Sequence, residues 1–423
     1  MTKQKIAIIG SGISGLSAAY FLKDKFDVKI FEKHDYLGGH SNTANINYLG
    51  KKIAVDTGFI VFNHKTYPNL VKFFELLEVD YEKSNMSFAA KIDQGKLEYA
   101  GTNLLSVFAQ PKNILDIKFL RMLRDILHFN KSAQNILDKK PNPKYSLGNL
   151  LDDLNVSDYF INYYILPISG AIWSCPTKTM LKYPAYSFLS FFKNHGLLTV
   201  SDQPQWFTVS GGSQQYVKKI KEQIGDKNIS LNNFVYEVRK KSNGKISVKS
   251  DKGEEFFDKV ILASHPDQSL KMLQKADEAQ INFLSSFKYQ KNLAILHKDQ
   301  SIMPKAKRAW ASWVYGKNKN DETNQISVTY WMNNLQNIDK SFPLFVTLNP
   351  NALINKSDIF ASYVYEHPTF DEVAIRAQKN SKQVQGIDDI YFCGAYVANG
   401  FHEDGIASAL NVVNMLNIKA PWQ

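Results

Sequence analysis

A chain of 423 residues, 44% of them hydrophobic, can bury a sizeable core in two or three domains, which excludes a disordered or disulfide-built class. Two cysteines, Cys175 and Cys393, exclude a disulfide framework, and without CxxC or HxxxH spacing no metal site is expected. Lys plus Arg total 51 against 40 Asp plus Glu, a net +11 that suits an anionic lipid surface, nucleic acid or an acidic substrate, and equally a Lys-rich proteome.

The opening MTKQKIAIIGSGISGLSAAYFLKDKF sets lysines before an apolar run, as a signal peptide would. Glycines interrupt that run and a helical pattern continues it, so it reads as a buried strand over Ile6–Ile9 followed by a helix. No run is long enough for a transmembrane helix, and a cytoplasmic location is expected. Between strand and helix stands Gly10-Ser11-Gly12-Ile13-Ser14-Gly15. Gly10 permits the tight turn, Gly12 lets a pyrophosphate reach the backbone, and Gly15 allows close helix–strand packing. The N–H groups of the first turn, from Ile13 and Ser14 onward, then face the phosphates. A second strand, DVKIFE, ends in Glu32, 20 residues after Gly12, where a carboxylate accepts hydrogen bonds from ribose hydroxyls. A GxGxxG alone is weak, but flanked by strand, helix and a correctly spaced acid it marks a dinucleotide site.

The next run, KHDYLGGHSNT, begins with Lys33 and resembles the extended fingerprint of the flavin amine oxidase superfamily, E-x5-GG-[R/K]. That resemblance implies FAD, with Gly38, Gly39 and His40 closing over its pyrophosphate. His40 stands where Arg or Lys is usual, which alters the charge there at neutral pH. IAVDTGFIVFN is similar to the superfamily segment beneath the flavin ring and implies contacts from Thr57, Gly58, Phe59 and Ile60. TYPNLVKFFELLEV reads as a helix entering the substrate region, and FTVSGGSQQYVKKI resembles the turn and helix that bring the chain back. ISLNNFVYEVRKKSNGKISVKSDKGEEFFDKVILAS reads as strand, hairpin and returning strand. There the resemblance places Val235 at the adenine and Ala263 near the cofactor.

The last flavin segment, DIYFCGAYVANGFHEDGIASALNVVNML, resembles the terminal motif of the superfamily. Ala395 follows Gly394 where an acid is usual, so the ribityl contact falls to Asp404 or to backbone. A helix is expected from Gly405 and Ile406, its positive end toward flavin N1 and O2. Within GFHEDG, adjacent side chains diverge on a helix or alternate on a strand, so the His and two acids do not converge on a metal. Glu403 and Asp404 suit a helix amino end, and His402 just before it suits a substrate-side role. The implied fold class is α/β: a Rossmann-like FAD-binding domain of the amine oxidase type, 1–78 plus 205–265 plus 385–423, with an inserted α+β substrate or cap domain, 79–204 plus 266–384.

GGHSNT, VDTGFIVFN, AIWSCP, FFKNHGLL, YQKNLAILHKD, MPKAKRAWASWVYG and GFHEDGIASAL resemble one branch in particular. These are the predicted NAD/FAD-binding amine-oxidase-like proteins associated with cyclopropane-fatty-acid-synthase-type methyltransferases. The resemblance implies a lipid or fatty acyl substrate and a methyltransferase partner. Amine oxidases often hold a lysine that reaches flavin N5 through water; here Asn292 takes that position with Lys291 beside it. No cysteine precedes the terminal motif to bond the flavin, so FAD is expected to be non-covalent, with Cys393 an ordinary core thiol.

NILDIKFLRMLRDILHFNKSAQNILD is an amphipathic helix pattern. Ile114, Ile117, Leu120, Leu123 and Leu127 share an apolar face, read either as packed on the core or as lying on a membrane. Phe191, Phe192, His195, Trp310 and Trp313 are candidates to line an apolar pocket, while His128 and His297 carry no functional signal. The expected reaction is desaturation, dehydrogenation or double-bond isomerisation of an acyl chain, with His402 the first candidate for the base, His195 the second and Glu403 the third. A flavin oxidase of a small amine and a non-catalytic FAD-binding partner of a lipid methyltransferase are the alternatives. No nucleic-acid motif occurs, and contact with the inner face of a membrane is the expected peripheral association.

Overall fold

The computed structural model describes residues 3–142, 144–173, 177–199, 203–317 and 326–423; Cys175, with part of the AIWSCP segment, lies outside them. In chain order the elements that matter below are strand β1, Lys5–Ile9, helix α1, Ile13–Leu22, strand β2, Asp27–Phe31, and helix α2, Pro68–Leu76. Helices α3, Leu104–Val107, α4, Ile117–Leu137, α5, Ala185–Asn194, and α6, Gln214–Ile224, follow. Strands β3, Ile229–Ser230, β4, Lys259–Leu262, and β5, Ile390–Phe392, lead to the last helix, α7, His402–Met415.

β1 occupies the centre of a five-stranded parallel sheet of order β3-β2-β1-β4-β5. A parallel sheet is covered on both faces, which is why Ile6, Ala7 and Ile8 are all fully buried in so short an apolar run. The strand alternation divides them: Ile6 and Ile8 pack with α1, α2, α6 and α7, whereas Ala7 and Ile9 belong to a second core shared with α4 and α5. That second core contains the inner face of a seven-stranded mixed sheet. Its order is Ile359–Thr369, Lys288–His297, Phe345–Leu348, Ser327–Trp331, Trp313–Lys317, Phe88–Ile92 and Leu97–Ala100. Segments far apart in sequence therefore build each sheet.

Two expectations change in detail. The stretch after β3 contains a three-stranded antiparallel sheet, Val235–Lys240, Ile246–Ser250 and Gly253–Phe257, in place of one hairpin. Both of its polar turns are tight, with Gly244 at φ +80° and Gly253 at φ +121° in conformations that favour glycine. In α4 the buried face is Phe119, Met122, Phe129 and Ala133, so the expected apolar stripe is largely outside: Ile114, Ile117, Leu120 and Leu127 are exposed and only Leu123 is half-buried. Asp125 explains part of the choice. Its carboxylate accepts the Ser157 N–H at 2.9 Å and turns that face of the helix inward.

Candidate functional site

The site is assembled first around the loop between β1 and α1. Gly10 has φ +106°, and a Cβ there would lie 2.7 Å from the Ala263 carbonyl oxygen, so the turn admits little else than glycine. A Cβ on Gly15 would lie 2.0 Å from the Gly10 oxygen, which makes glycine the condition for the helix to start so close to the strand. Gly12 differs from both: its backbone is ordinary, at φ −66°, and a Cβ would meet nothing within 4 Å. The N–H groups of Ile13 and Ser14 open α1 behind that space, with no side-chain cap and no acid in the first turn. Uncapped donors facing an open cradle suit a pyrophosphate.

Glu32, 7% exposed, braces the loop by accepting the Ser11 N–H at 3.0 Å and hydroxyl at 2.6 Å on one oxygen, and the His34 N–H at 3.0 Å on the other. Lys33 beside it is exposed. The backbone of Asn233 donates to the Glu32 carbonyl at 2.9 Å, bringing buried Val235 beside this end of β2. Gly38 and Gly39 close the opposite side. The Gly38 N–H donates to Ser11 O at 3.0 Å, and a Cβ on Gly39 would lie 3.2 Å from the Gly12 Cα.

His40-Ser41-Asn42 then runs against Thr57-Gly58-Phe59, through Thr57 N–H to Asn42 O at 3.0 Å and Phe59 N–H to His40 O at 2.8 Å. A Cβ on Gly58 would sit 2.3 Å from the His40 oxygen, so glycine permits this pairing. Buried Phe59 and Ile60 follow, and Asp56 anchors the segment by accepting the Ser213 N–H and hydroxyl at the start of α6, the Thr43 hydroxyl, and the Gln336 amide. Burial pushes Asp56 up to about 6.

α7 enters from the other side. It begins at His402, three residues before the expected Gly405, because Asp404 accepts the Phe401 N–H at 2.9 Å and the Asn399 N–H at 3.1 Å and so caps the turn containing His402 and Glu403. A Cβ on Gly405 would lie 2.7 Å from Ile13, and Ile406 is fully buried: α7 and α1 touch at their amino ends. Gly394, extended, donates to the Ser408 hydroxyl at 2.9 Å, and Ala395 packs close to Gly405. Two helix amino termini therefore converge on the same loop.

The three base candidates occupy different settings. His402 stacks on Phe59 with centroids 3.7 Å apart, and its Nε2 lies 2.8 Å from the Ser41 hydroxyl and 3.3 Å from the Tyr216 hydroxyl. Burial, then His40, holds its pKa down to about 3. Glu403 does not cap its own helix but α2, accepting Asn69 N–H, Asn69 Nδ2 and Leu70 N–H at 3.1, 2.6 and 3.0 Å. Burial raises its pKa, and Asp404 is pushed up to about 6 for the same first reason.

His195 lies past the end of α5, where Gly196 at φ +71° turns the chain and Leu197 N–H bonds Phe192 O at 2.8 Å. Its Nδ1 is 2.9 Å from the Phe191 carbonyl, which can only accept, so Nδ1 carries the proton and Nε2 the lone pair. It lines a cleft of about 390 Å³ with Lys65, Tyr67, Phe401, Glu403 and Asp404, and Phe191 stacks behind it at 3.8 Å. Of the other expected pocket aromatics, Phe192 stacks on Phe188, and Trp310 and Trp313 pack on Trp331 and Tyr330 of the large sheet.

Sequence reasoning missed the groups the large sheet delivers. Tyr365 places its hydroxyl 2.6 Å from the Thr57 hydroxyl, and His367 lies beside His40 with ring centroids 5.3 Å apart. His367 Nδ1 is 2.8 Å from Asn292 Nδ2, and the Asn292 oxygen accepts from Asn349 at 2.7 Å. Lys291 points to solvent. The alternation in YVYEH, with Tyr363, Tyr365 and His367 on one strand face, was the available signal. His265, stacked on Tyr289 at 4.0 Å, completes the histidine group. Among the described residues no three His, Cys, Asp or Glu side chains could hold a metal.

Burial first holds His40 and His265 down to about 4 and His367 to about 3. Unfolding lets all of these and His402 take protons from their ordinary value near 6.5, so the unfolded state binds more protons and stability falls as pH drops from about 6.5 to about 4. Asp56 and Asp404 oppose this, since their raised folded values favour the protonated folded state over part of the same window. Screening of the partly exposed rings leaves an expected net loss of roughly 2–4 kcal/mol. Melting curves of the FAD-free protein at pH 7 and pH 4.5 check this; equal midpoints would contradict it.

The residues fit FAD on two further counts: His40 Nε2 is buried without a hydrogen-bond partner, and the space before Gly12 is one a side chain would fill. The family described as flavin containing amine oxidoreductase matches residues 13–296. The zeta-carotene desaturase (chloroplastic/chromoplastic) of Zea mays is 24% identical over 181 residues, 38% of this chain and 29% of that protein. The 1-hydroxycarotenoid 3,4-desaturase of Flavobacterium sp. (strain P99-3) is 26% identical over 212 residues, 47% of this chain and 42% of its own. The chain thus matches less than half the length of either relative. A crystal structure of a fatty acid isomerase from P. acnes superposes with TM-score 0.69 at 13% identity, over 97% of this chain and 98% of that one, a likeness of fold.

Proposed function

The chain belongs to the flavin containing amine oxidoreductase family and is an FAD-dependent oxidoreductase; from that premise we propose that its substrate is a lipid acyl chain, which it desaturates, dehydrogenates or isomerises. Bound FAD supplies hydride exchange with carbon. The pyrophosphate falls to Gly12, the first turn of α1 and the Gly38-Gly39 pair, the ribose to Glu32, and the far end of the flavin to the start of α7.

What supports the acyl reading is position 292. An asparagine stands there, 1% exposed and held by His367 and Asn349, while the neighbouring Lys291 lies in solvent. Without an ammonium at that position the water relay of amine oxidation has no anchor. The cleft is walled by Phe401 and Tyr67, with Phe191 behind His195, and its carboxylates accept backbone N–H groups, so neither is left solely to pair with an amine. Both relatives in sequence are named as desaturases of carotenoids.

Desaturation removes a hydride from one carbon and a proton from its neighbour, leaving a double bond. His195 takes the proton on Nε2, since its lone pair is uncommitted and its ring lines the cleft. Mixing the FAD-loaded protein anaerobically with fatty acids or phospholipids is expected to bleach the flavin colour if the chain is desaturated, or to leave the flavin oxidised and shift a double bond in the recovered lipid if it is isomerised; small amines are expected to do neither. Bleaching by amines alone would replace this reading with amine oxidation, and bleaching by lipid only after a methyltransferase is added would make the chain an accessory subunit.

A further inference from the structure

We propose that the ridge formed by α3, the turn at Pro111–Ile114 and the first turns of α4 docks on the surface of an anionic lipid bilayer. The ridge is aliphatic and open. Leu104, Leu105, Leu115 and Ile117 are 76%, 68%, 86% and 81% exposed, and all four fall within a stretch of fourteen residues. They are not spare core positions, for the opposite face of α4 already buries Phe119, Met122 and Phe129. Phe108, between α3 and the turn, packs on Phe119 at 6.0 Å and draws the pieces of the ridge together. Four large aliphatic side chains standing in water have no folding benefit, and exposed apolar side chains gathered in so short a stretch mark an interaction surface.

The charge around the ridge says what covers it. Lys118, Arg121 and Arg124 are exposed along α4, and Lys305, Lys307 and Arg308 are exposed on the segment packed against α3. The nearby carboxylates leave an excess of positive charge, since two are taken up by backbone N–H groups and one is shared between two arginines. Glu98 is buried and accepts the Lys305 and Ala306 N–H groups, and Asp116 caps α4 through the Lys118 and Phe119 N–H groups. Asp125, buried, is shared by Arg121 and Arg124 at 3.9 and 3.6 Å. Aliphatic side chains inside a rim of excess positive charge match a bilayer of anionic headgroups, with the chains entering the acyl boundary and the cations at the phosphates. A second copy of this chain would bring two such rims together and is disfavoured by like charge. No described helix is long and apolar enough to cross a membrane, so the contact is one of lying on the surface.

The position of the ridge also gives it a use. α4 packs on α5, and His195 just past α5 lines the cleft, so the helix that carries the ridge adjoins the helix that leads into the site.

Flotation of the FAD-loaded protein with vesicles of phosphatidylglycerol and phosphatidylcholine, against phosphatidylcholine alone, tests the proposal without turnover. Its outcome is therefore separate from whether an acyl chain is the substrate. Binding is expected to the anionic vesicles and to weaken with salt. The double variant Leu115→Asp, Ile117→Asp should lose at least about tenfold in vesicle affinity, and Lys118→Glu, Arg124→Glu about fivefold or more for each charge. All four positions are exposed, and equal FAD content and melting temperature show that the variants fold. No binding by the wild type overturns the proposal, as does unchanged binding by the aspartate variant. A dimer in solution that the aspartates dissolve, without vesicle binding, would assign the ridge to a second copy instead.

Discussion

A Gly12→Val variant is expected to fold and to purify without FAD. The backbone at Gly12 lies at φ −66°, which any residue adopts, and a Cβ there would meet nothing within 4 Å, so the protein itself has no objection to the side chain. The objection comes from the cofactor. Valine would stand in the space that the open α1 donors face, and charge-assisted contacts from several backbone N–H groups would be lost together. Circular dichroism and melting should match those of FAD-free wild type, and denaturation should release no flavin. Gly15→Ala is the contrasting case: its Cβ would lie 2.0 Å from the Gly10 oxygen, so that variant should lose the fold of the loop as well as the cofactor. A Gly12→Val protein that carries a full complement of FAD would remove the pyrophosphate from this loop.

The second large effect is expected at His195. Replacing it with alanine should leave FAD bound and slow anaerobic flavin reduction by lipid about 10²–10⁴-fold, the contribution of a positioned general base. Burial, against the opposing hydrogen bond to Phe191 and with Lys65 adding to it, holds the pKa of His195 below its ordinary value. The neutral ring therefore dominates at pH 7, and the wild-type rate should stay level through neutrality and fall only as pH drops below about 6.5. The alanine variant should lack that acid limb. His402→Ala should act differently, loosening the Ser41 and Tyr216 contacts and the start of α7, and so lowering FAD retention more than the rate of the bound fraction. Wild-type reduction rates in His195→Ala, with a normal acid limb, would send the search for the base back to His402.

The amino-terminal half of the cofactor site was legible in the sequence because its determinants are local. Gly15 answers to the Gly10 oxygen within the same strand–helix unit, Gly10 to Ala263 just past the adjoining strand β4, and Gly12 to the cofactor it leaves room for, while Glu32 braces the loop only 21 residues away. Such conditions depend on residue type and spacing, and these are what a sequence displays. The same holds for the Asn-His-Gly turn after α5 and for the diglycine closing on Gly12.

The roles of the chemically active side chains depended on contacts that no local pattern encodes. His402 meets Ser41 across 361 positions, Glu403 meets Asn69 across 334, and Asn292 meets His367 across 75. Only the folding of two sheets against each other decides that Glu403 caps α2 and that His402 is turned into a hydroxyl network while His195 faces a cleft. The case of α4 shows the limit most plainly. Its sequence carries two apolar stripes; burial went to the one with Phe119, Met122 and Phe129 because aromatic neighbours and the Asp125–Ser157 hydrogen bond awaited it there. Periodicity establishes that a helix has an apolar face, but where two faces compete, the surface it packs against selects between them.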